Sequence, residues 1–192
     1  MNNKFLSLSK LQLSILISMV NLDPDNKGVT TRQLTTFFKD RTNQTEQDIY
    51  SSIKTLVKNN YMNKMDNFTY RLDPTGSKEI IQLFSELDTF IIDRLINMYI
   101  PLSSLRVYTL MRMVAFPRFK KALRISYREI MELYNSIWKC DLNEHDIYEF
   151  IKVLIEEGLI KKKTYETGNY YRYNEYSFIG LDDLLKDIGL ID

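Results

Sequence analysis

The sequence predicts a mainly α-helical protein with small β-hairpins, in the α+β class, built from two similar units. Three observations predict this fold: an internal repeat, a helical spacing of apolar residues in each copy, and two strand-like segments at the end of each copy. The chain has 192 residues, enough for two domains of about 80 to 100 residues each. Hydrophobic residues make up 44% and charged residues 27%, a composition typical of globular proteins.

The internal repeat is clearest around the third helix of each copy. The segment TEQDIYSSIKTLVKNNYMNK, which starts at Thr45, aligns without gaps with NEHDIYEFIKVLIEEGLIKK, which starts at Asn143. Weaker matches precede it in the same order, SKLQLSILISMV with SSLRVYTLMRMV and TTRQLTTFF with SYREIMELY. Because three segments recur in one order, a repeated unit explains the similarity better than two unrelated amphipathic helices.

Each copy is predicted to contain three helices followed by a two-stranded hairpin. Residues that favour helix N-caps precede the second and third helices, namely Thr30 and Thr45 in the first copy and Ser126 and Asn143 in the second. Asn59-Asn60 and Gly158 end the third helices, because asparagine and glycine tolerate a left-handed backbone. Segments rich in Tyr and Phe with alternating polarity then predict the hairpins, with turns at Asp66-Asn67 and at ETGN.

This order of elements resembles a winged helix-turn-helix domain, in which the hairpin is the wing. The first copy is similar to the MarR and PadR-type regulators, where a helix end such as LVKNNYMNK is followed by a wing exit such as YRLDPTG. The resemblance implies two tandem winged helix-turn-helix domains, at 1–77 and 102–192, joined by a helix at 78–101. It implies double-stranded DNA as a ligand, but winged helices also serve in protein assembly, so the fold does not decide the function.

The joining helix at 78–101 is predicted to carry a continuous apolar stripe. Two interpretations stay open. The helix is either an internal spacer buried between the winged helices or a dimerisation helix, since the regulators that the chain resembles commonly pair through helices outside the DNA-reading motif. On the second interpretation the protein is a homodimer held by Phe84, Leu87, Ile91, Leu95 and Met98.

The third helix of the first copy is the predicted reader of DNA. In winged helices this helix enters the major groove, where exposed side chains read base edges while the wing holds phosphates. Turned away from its apolar face are amide, hydroxyl and cationic groups that suit bases and phosphates. The candidate DNA-binding residues of the first copy are Arg41, Asn43, Gln44, Gln47, Ser51, Lys54, Thr55 and Lys58, with Lys64 and Arg71 in the wing.

The second copy carries its positive charge outside the third helix. That helix presents carboxylates, among them Glu149 and Glu156, which repel phosphates and make it a poor groove reader. Two other segments could follow a phosphate backbone, or they are solvated loops balanced by nearby carboxylates. The candidate phosphate contacts are Arg118, Lys120, Lys121 and Arg124 before the second helix, and Lys161, Lys162, Lys163 and Arg172 in the wing.

The composition argues against catalysis, a cofactor and a metal site. Cys140 is the single cysteine and His145 the single histidine, and the sequence has no Gly-rich phosphate loop, no HExxH and no G-x-S-x-G. We therefore expect no enzymatic activity. A lone cysteine, no signal peptide and no apolar run of about 18 residues predict a cytoplasmic protein without membrane contact.

We expect a sequence-specific double-stranded DNA-binding protein that acts as a transcriptional regulator or as a replication or partition factor. The net charge of +1 requires any basic surface to be local. The alternative is an interaction module in which winged helices bind protein, as an antirepressor, a segregation-complex subunit or an assembly factor. The near-zero net charge and the acidic third helix of the second copy favour this alternative, with the second domain as the contact for a protein partner.

Overall fold

The structure is a computed structural model that describes residues 7–39, 41–115, 122–167 and 171–180, with the backbone alone at 167, 171 and 172. These residues form a mainly helical α+β protein with two three-stranded antiparallel sheets, which confirms the predicted fold class at this level. The chain divides into two units, Leu8–Tyr99 and a second unit that begins at Ile100.

The first unit is built around its first helix. The elements of this unit are α1 (Lys10–Leu22), β1 (Val29–Thr30), α2 (Thr31–Lys39), α3 (Glu46–Lys58), β2 (Met62–Lys64), β3 (Thr69–Leu72), α4 (Lys78–Phe84) and α5 (Thr89–Ile96). Every residue of α1 from 13 to 20 is buried. This burial has a simple cause, because α3, β3, α4 and α5 all pack against α1.

The sheet of the first unit has the strand order β1-β3-β2. In its antiparallel register Val29 pairs with Tyr70, and Met62 pairs with Leu72. All four of these side chains are buried, so one face of the sheet covers the helical core. The sequence did not predict β1, because two residues are too short to show the alternation by which strands are recognised.

A tight turn after β3 closes the hairpin against the end of α3. The Asp73 carboxylate accepts the N–H groups of Thr75 at 2.9 Å and Gly76 at 2.7 Å. These bonds, with that of Gly76 the strongest, hold the pKa of Asp73 below its usual value. Gly76 is required here, because a Cβ at this position would lie 1.7 Å from the carbonyl oxygen of Asn60.

The segment 78–101 differs from its prediction as one joining helix. It contains two helices, α4 and α5, and both belong to the first unit. The chain leaves the helical conformation between them, and Asp88 has an extended backbone with ψ 151°. The apolar spacing continues across this break because each helix buries one of its faces, so the pattern alone did not reveal two helices.

The stripe predicted as a dimer surface is instead used inside the first unit. Phe84, Ile91 and Leu95 are fully buried and Leu87 is 9% exposed, because α4 and α5 pack against α1. Met98, beyond the end of α5, is the exception at 42% exposure. The dimerisation prediction is therefore wrong for the four buried side chains, since a face already covered within the unit offers no apolar surface to a second copy.

The second unit repeats the order of the first six elements. These are α6 (Leu102–Ala115), β4 (Ala122–Arg124), α7 (Tyr127–Trp138), α8 (Glu144–Glu156), β5 (Ile160–Thr167) and β6 (Tyr171–Phe178). The strand order β4-β6-β5 corresponds to that of the first sheet. Its long hairpin pairs Ile160 with Phe178 at one end and Thr167 with Tyr171 at the other. The third helices, α3 and α8, have 13 residues each and begin at matching positions of the repeat.

The helix boundaries follow the capping residues that the sequence predicts. Capping boxes begin α3 at Thr45, α7 at Ser126 and α8 at Asn143, each with a carboxylate three residues later that accepts the N–H of the cap. Beyond α3, Asn60 has φ 60°, and beyond α8, Gly158 has φ 64°, as the sequence predicts. Among the described residues, no helix is both long enough and apolar enough to cross a membrane.

Candidate nucleic-acid interface

Helix α3 carries the predicted reading surface of the first unit. Ile49, Ile53 and Leu56 form its buried face. At its start the Thr45 hydroxyl accepts the Asp48 N–H at 3.2 Å, and the Asp48 carboxylate accepts the Thr45 N–H at 2.9 Å. The capping box fixes the first turn of α3. The side chains opposite the buried face therefore have defined positions along the helix. The exposed predicted residues on and before this helix are Asn43, Gln44, Gln47, Ser51, Lys54 and Lys58.

Two contacts along α3 orient its polar side chains. The Lys54 ammonium lies 4.5 Å from the centroid of the Tyr50 ring, which places the cation along the helix surface. Thr55 is half-buried, and its hydroxyl donates to the Ser51 carbonyl at 3.0 Å. Among the predicted residues, Thr55 therefore uses its hydroxyl to bond to the helix backbone and does not offer it on the exposed face.

Arg41 does not belong to this surface. Its Nε and Nη2 donate to the two carboxylate oxygens of Asp93, each at 2.9 Å, and its Nη1 donates to the Phe37 carbonyl at 2.9 Å. The guanidinium also lies 4.2 Å from the centroid of the Phe37 ring. Arg41 thus links the chain after α2 to α5, and because these donors are used within the unit, the geometry gives no support to the predicted contact between Arg41 and DNA.

The hairpin of the first unit places its two predicted cations differently. Lys64 is exposed at the end of β2. Arg71 pairs with Asn63 in the sheet register and is half-buried, and its Nε has no hydrogen-bond partner among the described residues. Lys64 can therefore reach a phosphate beside the hairpin more readily than Arg71.

The tip of this hairpin exposes apolar side chains that the sequence analysis did not single out. Phe68 is 70% exposed and Met65 is 49% exposed. The Asp66 carboxylate accepts the N–H groups of Phe68 and Thr69, each at 2.8 Å, and so fixes the turn. The bond from the Phe68 N–H contributes most to holding the pKa of Asp66 below its usual value.

Helix α8 presents a different surface from α3. Its buried face is Ile147, Ile151 and Leu154, which matches that of α3 position by position. The exposed face carries His145, Glu149, Lys152 and Glu156, and Val153 is half-buried. Tyr148 at 41% and Ile155 at 37% add exposed apolar surface. The His145 and Tyr148 rings stack with centroids 6.0 Å apart.

The cations predicted to contact phosphate in the second unit are partly outside the described residues. Arg118, Lys120 and Lys121 lie outside them, and Arg172 is described by its backbone in β6 alone. The side chains that the structure describes are Arg124 in β4 and Lys161, Lys162 and Lys163 in β5.

The three consecutive lysines of β5 lie on two faces of the sheet. Lys161 and Lys163 are exposed on the outer face. Lys162 pairs with the buried Tyr176 in the register, and its ammonium donates to the Tyr127 hydroxyl at 2.7 Å. Because successive side chains of a strand alternate, one phosphate backbone cannot be followed by all three. This alternation can be read from the sequence, and it places Lys162 on the opposite face of the sheet from Lys161 and Lys163.

On the outer face of this sheet, aromatic and charged side chains form one cluster. The Tyr165 and Tyr173 rings stack with centroids 5.0 Å apart and planes 14° from parallel. The Arg124 Nε donates to the Glu175 carboxylate at 2.7 Å, and the Tyr165 hydroxyl donates to the same carboxylate at 3.2 Å. The bond from Arg124 contributes most to lowering the pKa of Glu175. We call Arg124, Lys163, Tyr165, Tyr173 and Glu175 the outer-face cluster.

A shallow depression of about 210 Å³ borders the outer-face cluster. It is lined by Arg124, Ile125, Ser126, Glu129, Tyr173 and Asn174. Glu129 is occupied in capping α7, where its carboxylate accepts the N–H of Ser126 at 2.8 Å. The sequence analysis noted the tyrosines of this hairpin but did not name them as binding residues, because their shared face depends on the strand register.

Comparison with known proteins adds no further assignment. No protein-family model matches the chain, and no curated protein shows significant sequence similarity to it. Within the described residues, no group of three or more His, Cys, Asp or Glu side chains could hold a metal ion.

Proposed function

We propose that the chain is a double-stranded DNA-binding protein built from two tandem winged helix-turn-helix domains, with α3 as the reading helix. The repeated order of three helices, a short strand and a hairpin supports the winged-helix assignment. In such domains the third helix lies in the major groove and the hairpin approaches the backbone. We further propose that the protein acts in the cytoplasm as a transcriptional regulator or as a replication or partition factor.

The exposed face of α3 is the observation that carries this proposal. It offers amide, hydroxyl and ammonium groups from Gln47, Ser51, Lys54 and Lys58. The major groove of B-DNA is about 12 Å wide and admits a helix, and each of these groups has partners on its floor or rim. Glutamine pairs with adenine, lysine with guanine, and serine with either, so Gln47, Ser51 and Lys54 are the proposed base readers. Lys58 and Lys64 are the proposed phosphate contacts.

The carboxylate of Asp48, at the start of α3, weighs little against the proposal. Asp48 is turned back to the cap of its own helix, where its carboxylate accepts the hydroxyl of Thr45 at 2.6 Å. On α8, by contrast, Glu149 and Glu156 stand on the exposed face, at the positions where α3 has Ser51 and Lys58. The proposal therefore assigns sequence reading to the first unit alone.

The repeat supplies matched controls for testing this assignment. Ser51→Ala and Lys54→Ala should each weaken binding to a selected duplex by about 1 to 3 kcal/mol if they read bases. Glu149→Ala and Lys152→Ala, at the equivalent positions of α8, should leave the affinity within about twofold. Binding is measured by fluorescence anisotropy, with the duplex first selected from a random library at low salt.

The selection experiment tests whether the chain binds duplex DNA at all. Failure to enrich any duplex, together with no binding to random duplex at low salt, would contradict the proposed function. Equal losses on selected and random duplex for Ser51→Ala would instead make this residue a backbone contact.

A second candidate function rests on α8. Tyr148 and Ile155 expose apolar surface beside Glu149 and Glu156, and aromatic groups surrounded by polar ones are typical of protein interfaces. On this alternative the second unit binds a protein with a basic surface. Tyr148→Ala should then abolish a cross-link between α8 and that partner in cell extract while Lys78→Ala, at an exposed site in the first unit, leaves the cross-link intact.

A further inference from the structure

The outer face of the second sheet carries aromatic surface that the core does not use. Leu123, Ile160 and Tyr176 line the inner face of the same three strands and are buried. Tyr165 and Tyr173 lie on the other face, directly opposite each other in the register. Both residues are half-buried, and their stacked rings lie outside the core, where the duplex-binding proposal makes no use of them.

Two cations lie in the cross-strand row next to this tyrosine pair, because Arg124 and Lys163 both pair with Glu175 in the register. The Arg124 guanidinium lies 5.0 Å from the ring centroid of Tyr173, and the Lys163 ammonium lies 4.8 Å from that of Tyr165. The Arg124 side chain is 64% exposed although it is paired with Glu175, so its guanidinium remains accessible from solvent. Lys161 is exposed on the same face, two residues before Lys163.

We propose that this outer face binds single-stranded nucleic acid. Unpaired bases would stack on Tyr165 and Tyr173, and the flanking phosphates would lie near Arg124, Lys161 and Lys163. Base–aromatic stacking together with a cationic rim is the combination that binds single strands with little sequence preference. In a duplex the bases already stack on each other, so their faces are not available to tyrosine rings.

Charge complementarity favours a polyanion over a protein as the occupant. Among the side chains that the structure describes on these three strands, three cations and one carboxylate, Glu175, stand on this face, and that carboxylate is engaged by Arg124 and Tyr165. Asn174 in the adjoining depression supplies a side-chain amide for the edge of a base next to the stack, and the Glu129 carboxylate that also lines the depression is engaged by the N–H and hydroxyl of Ser126. The first unit offers no equivalent surface, because the corresponding face of its described strands carries Asn63, Thr69 and Arg71 instead of an aromatic pair.

The test uses the full chain and a fluorescently labelled oligothymidine of about 15 nucleotides, a length within the site sizes of single-strand binders. Its affinity is measured by anisotropy and compared with that of an abasic oligomer of the same length. The abasic chain has the phosphates but no bases. We expect the oligothymidine to bind at least tenfold more tightly, and equal affinities would overturn the proposal because stacking would then contribute nothing.

Variants locate the binding on the sheet. Tyr165→Ala and Tyr173→Ala should each weaken oligothymidine binding by about 5- to 150-fold, the range measured for lost base stacking. Tyr165→Phe should restore most of the affinity because it keeps the ring. Tyr99→Ala removes a tyrosine that is 71% exposed elsewhere on the chain and serves as the matched control. Circular dichroism confirms that each variant is folded.

The lysines give a second measure that does not depend on removing an aromatic side chain. Lys163→Gln should lower the slope of log affinity against log salt by about 0.7, the value for one phosphate contact on a single strand. Lys78→Gln is its matched control on an exposed helix end. Unchanged affinity in Lys163→Gln and both tyrosine variants would overturn the proposal, and so would a preference for duplex that the tyrosine variants abolish.

Discussion

Helices α3 and α8 are equivalent in the repeat, yet their two faces have diverged to different extents. Both have 13 residues and a capping box, and both bury Ile, Ile and Leu at matching positions. Their exposed faces differ in chemistry, with hydroxyl, amide and ammonium groups on α3 and carboxylates and apolar side chains on α8. Packing restricts the buried positions and leaves the exposed ones free. The same backbone arrangement therefore presents two chemically different helix surfaces.

Within the described residues, the two units also differ in what packs against their first helix. In the first unit α4 and α5 pack against α1, while in the second unit α6 packs against α7, α8 and β4. The added helices of the first unit contribute fully buried side chains such as Phe84, Ile91 and Leu95. Burying one such side chain contributes about 1.5 to 3 kcal/mol. We therefore expect the first unit to depend on this segment for its stability.

The largest expected effect tests that dependence. Ile91→Ala should lower the free energy of unfolding by about 2 to 5 kcal/mol, because it leaves a cavity beside α1. Phe90→Ala is the matched control, since the neighbouring Phe90 is 42% exposed and its ring contacts Arg94 at 4.5 Å. Denaturant unfolding should show a loss of about 1 kcal/mol or less for this control. Equal losses for the two variants would contradict the burial of α5 against α1.

The next effect concerns Arg41, which the sequence assigned to DNA and the structure assigns to Asp93. Both side chains are about one-third exposed, so solvent screening weakens their ion pair. Arg41→Ala should lower the free energy of unfolding by about 1.5 kcal/mol through the lost bonds to Asp93 and Phe37. Thermal unfolding measures this loss, and the salt slope of duplex binding should not change. A reduced slope with unchanged stability would restore the original assignment.

The capping boxes should contribute equally in the two units. Thr45→Ala and Asn143→Ala remove equivalent caps, and each should cost about 1 kcal/mol in urea unfolding. Thr45→Ser and Asn143→Asp keep a capping oxygen and should recover most of the stability. A cost in one unit and none in the other would show that the repeat shares its backbone order without sharing the energetics of its third helix.

The sequence analysis predicted features that depend on neighbouring residues and missed those that depend on residues far apart in the chain. Caps such as Thr45 and left-handed helix ends such as Asn60 and Gly158 depend on neighbouring residues, and these predictions are confirmed. The pair of Arg41 and Asp93 joins residues that are 52 positions apart, and no local pattern announces it. Strands β1 and β4 have two and three residues, too few for an alternation to show.

The candidate surfaces were predictable to different degrees for the same reason. The exposed face of α3 follows from helical periodicity within one segment, so Gln47, Ser51 and Lys54 could be read from the sequence. The outer-face cluster needs the register of β5 against β6, which pairs Tyr165 with Tyr173. The register is set by the turn and by the buried face together, so the sequence alone did not bring the two rings into contact.

The smallest expected effect is a dependence of stability on pH that comes from Asp48. The hydrogen bond from the Thr45 hydroxyl holds the pKa of Asp48 below its usual 3.8 in the folded chain. A carboxyl with a lowered folded pKa stabilises the protein above its unfolded pKa, and this contribution disappears as the pH falls through the folded pKa. Asp48→Asn should therefore have a lower melting temperature than the natural chain at pH 7, with a difference that shrinks below about pH 4. Melting curves for both proteins between pH 7 and pH 2, at one salt concentration, measure this convergence, and a difference that stayed constant across the series would exclude the capping carboxylate as its source.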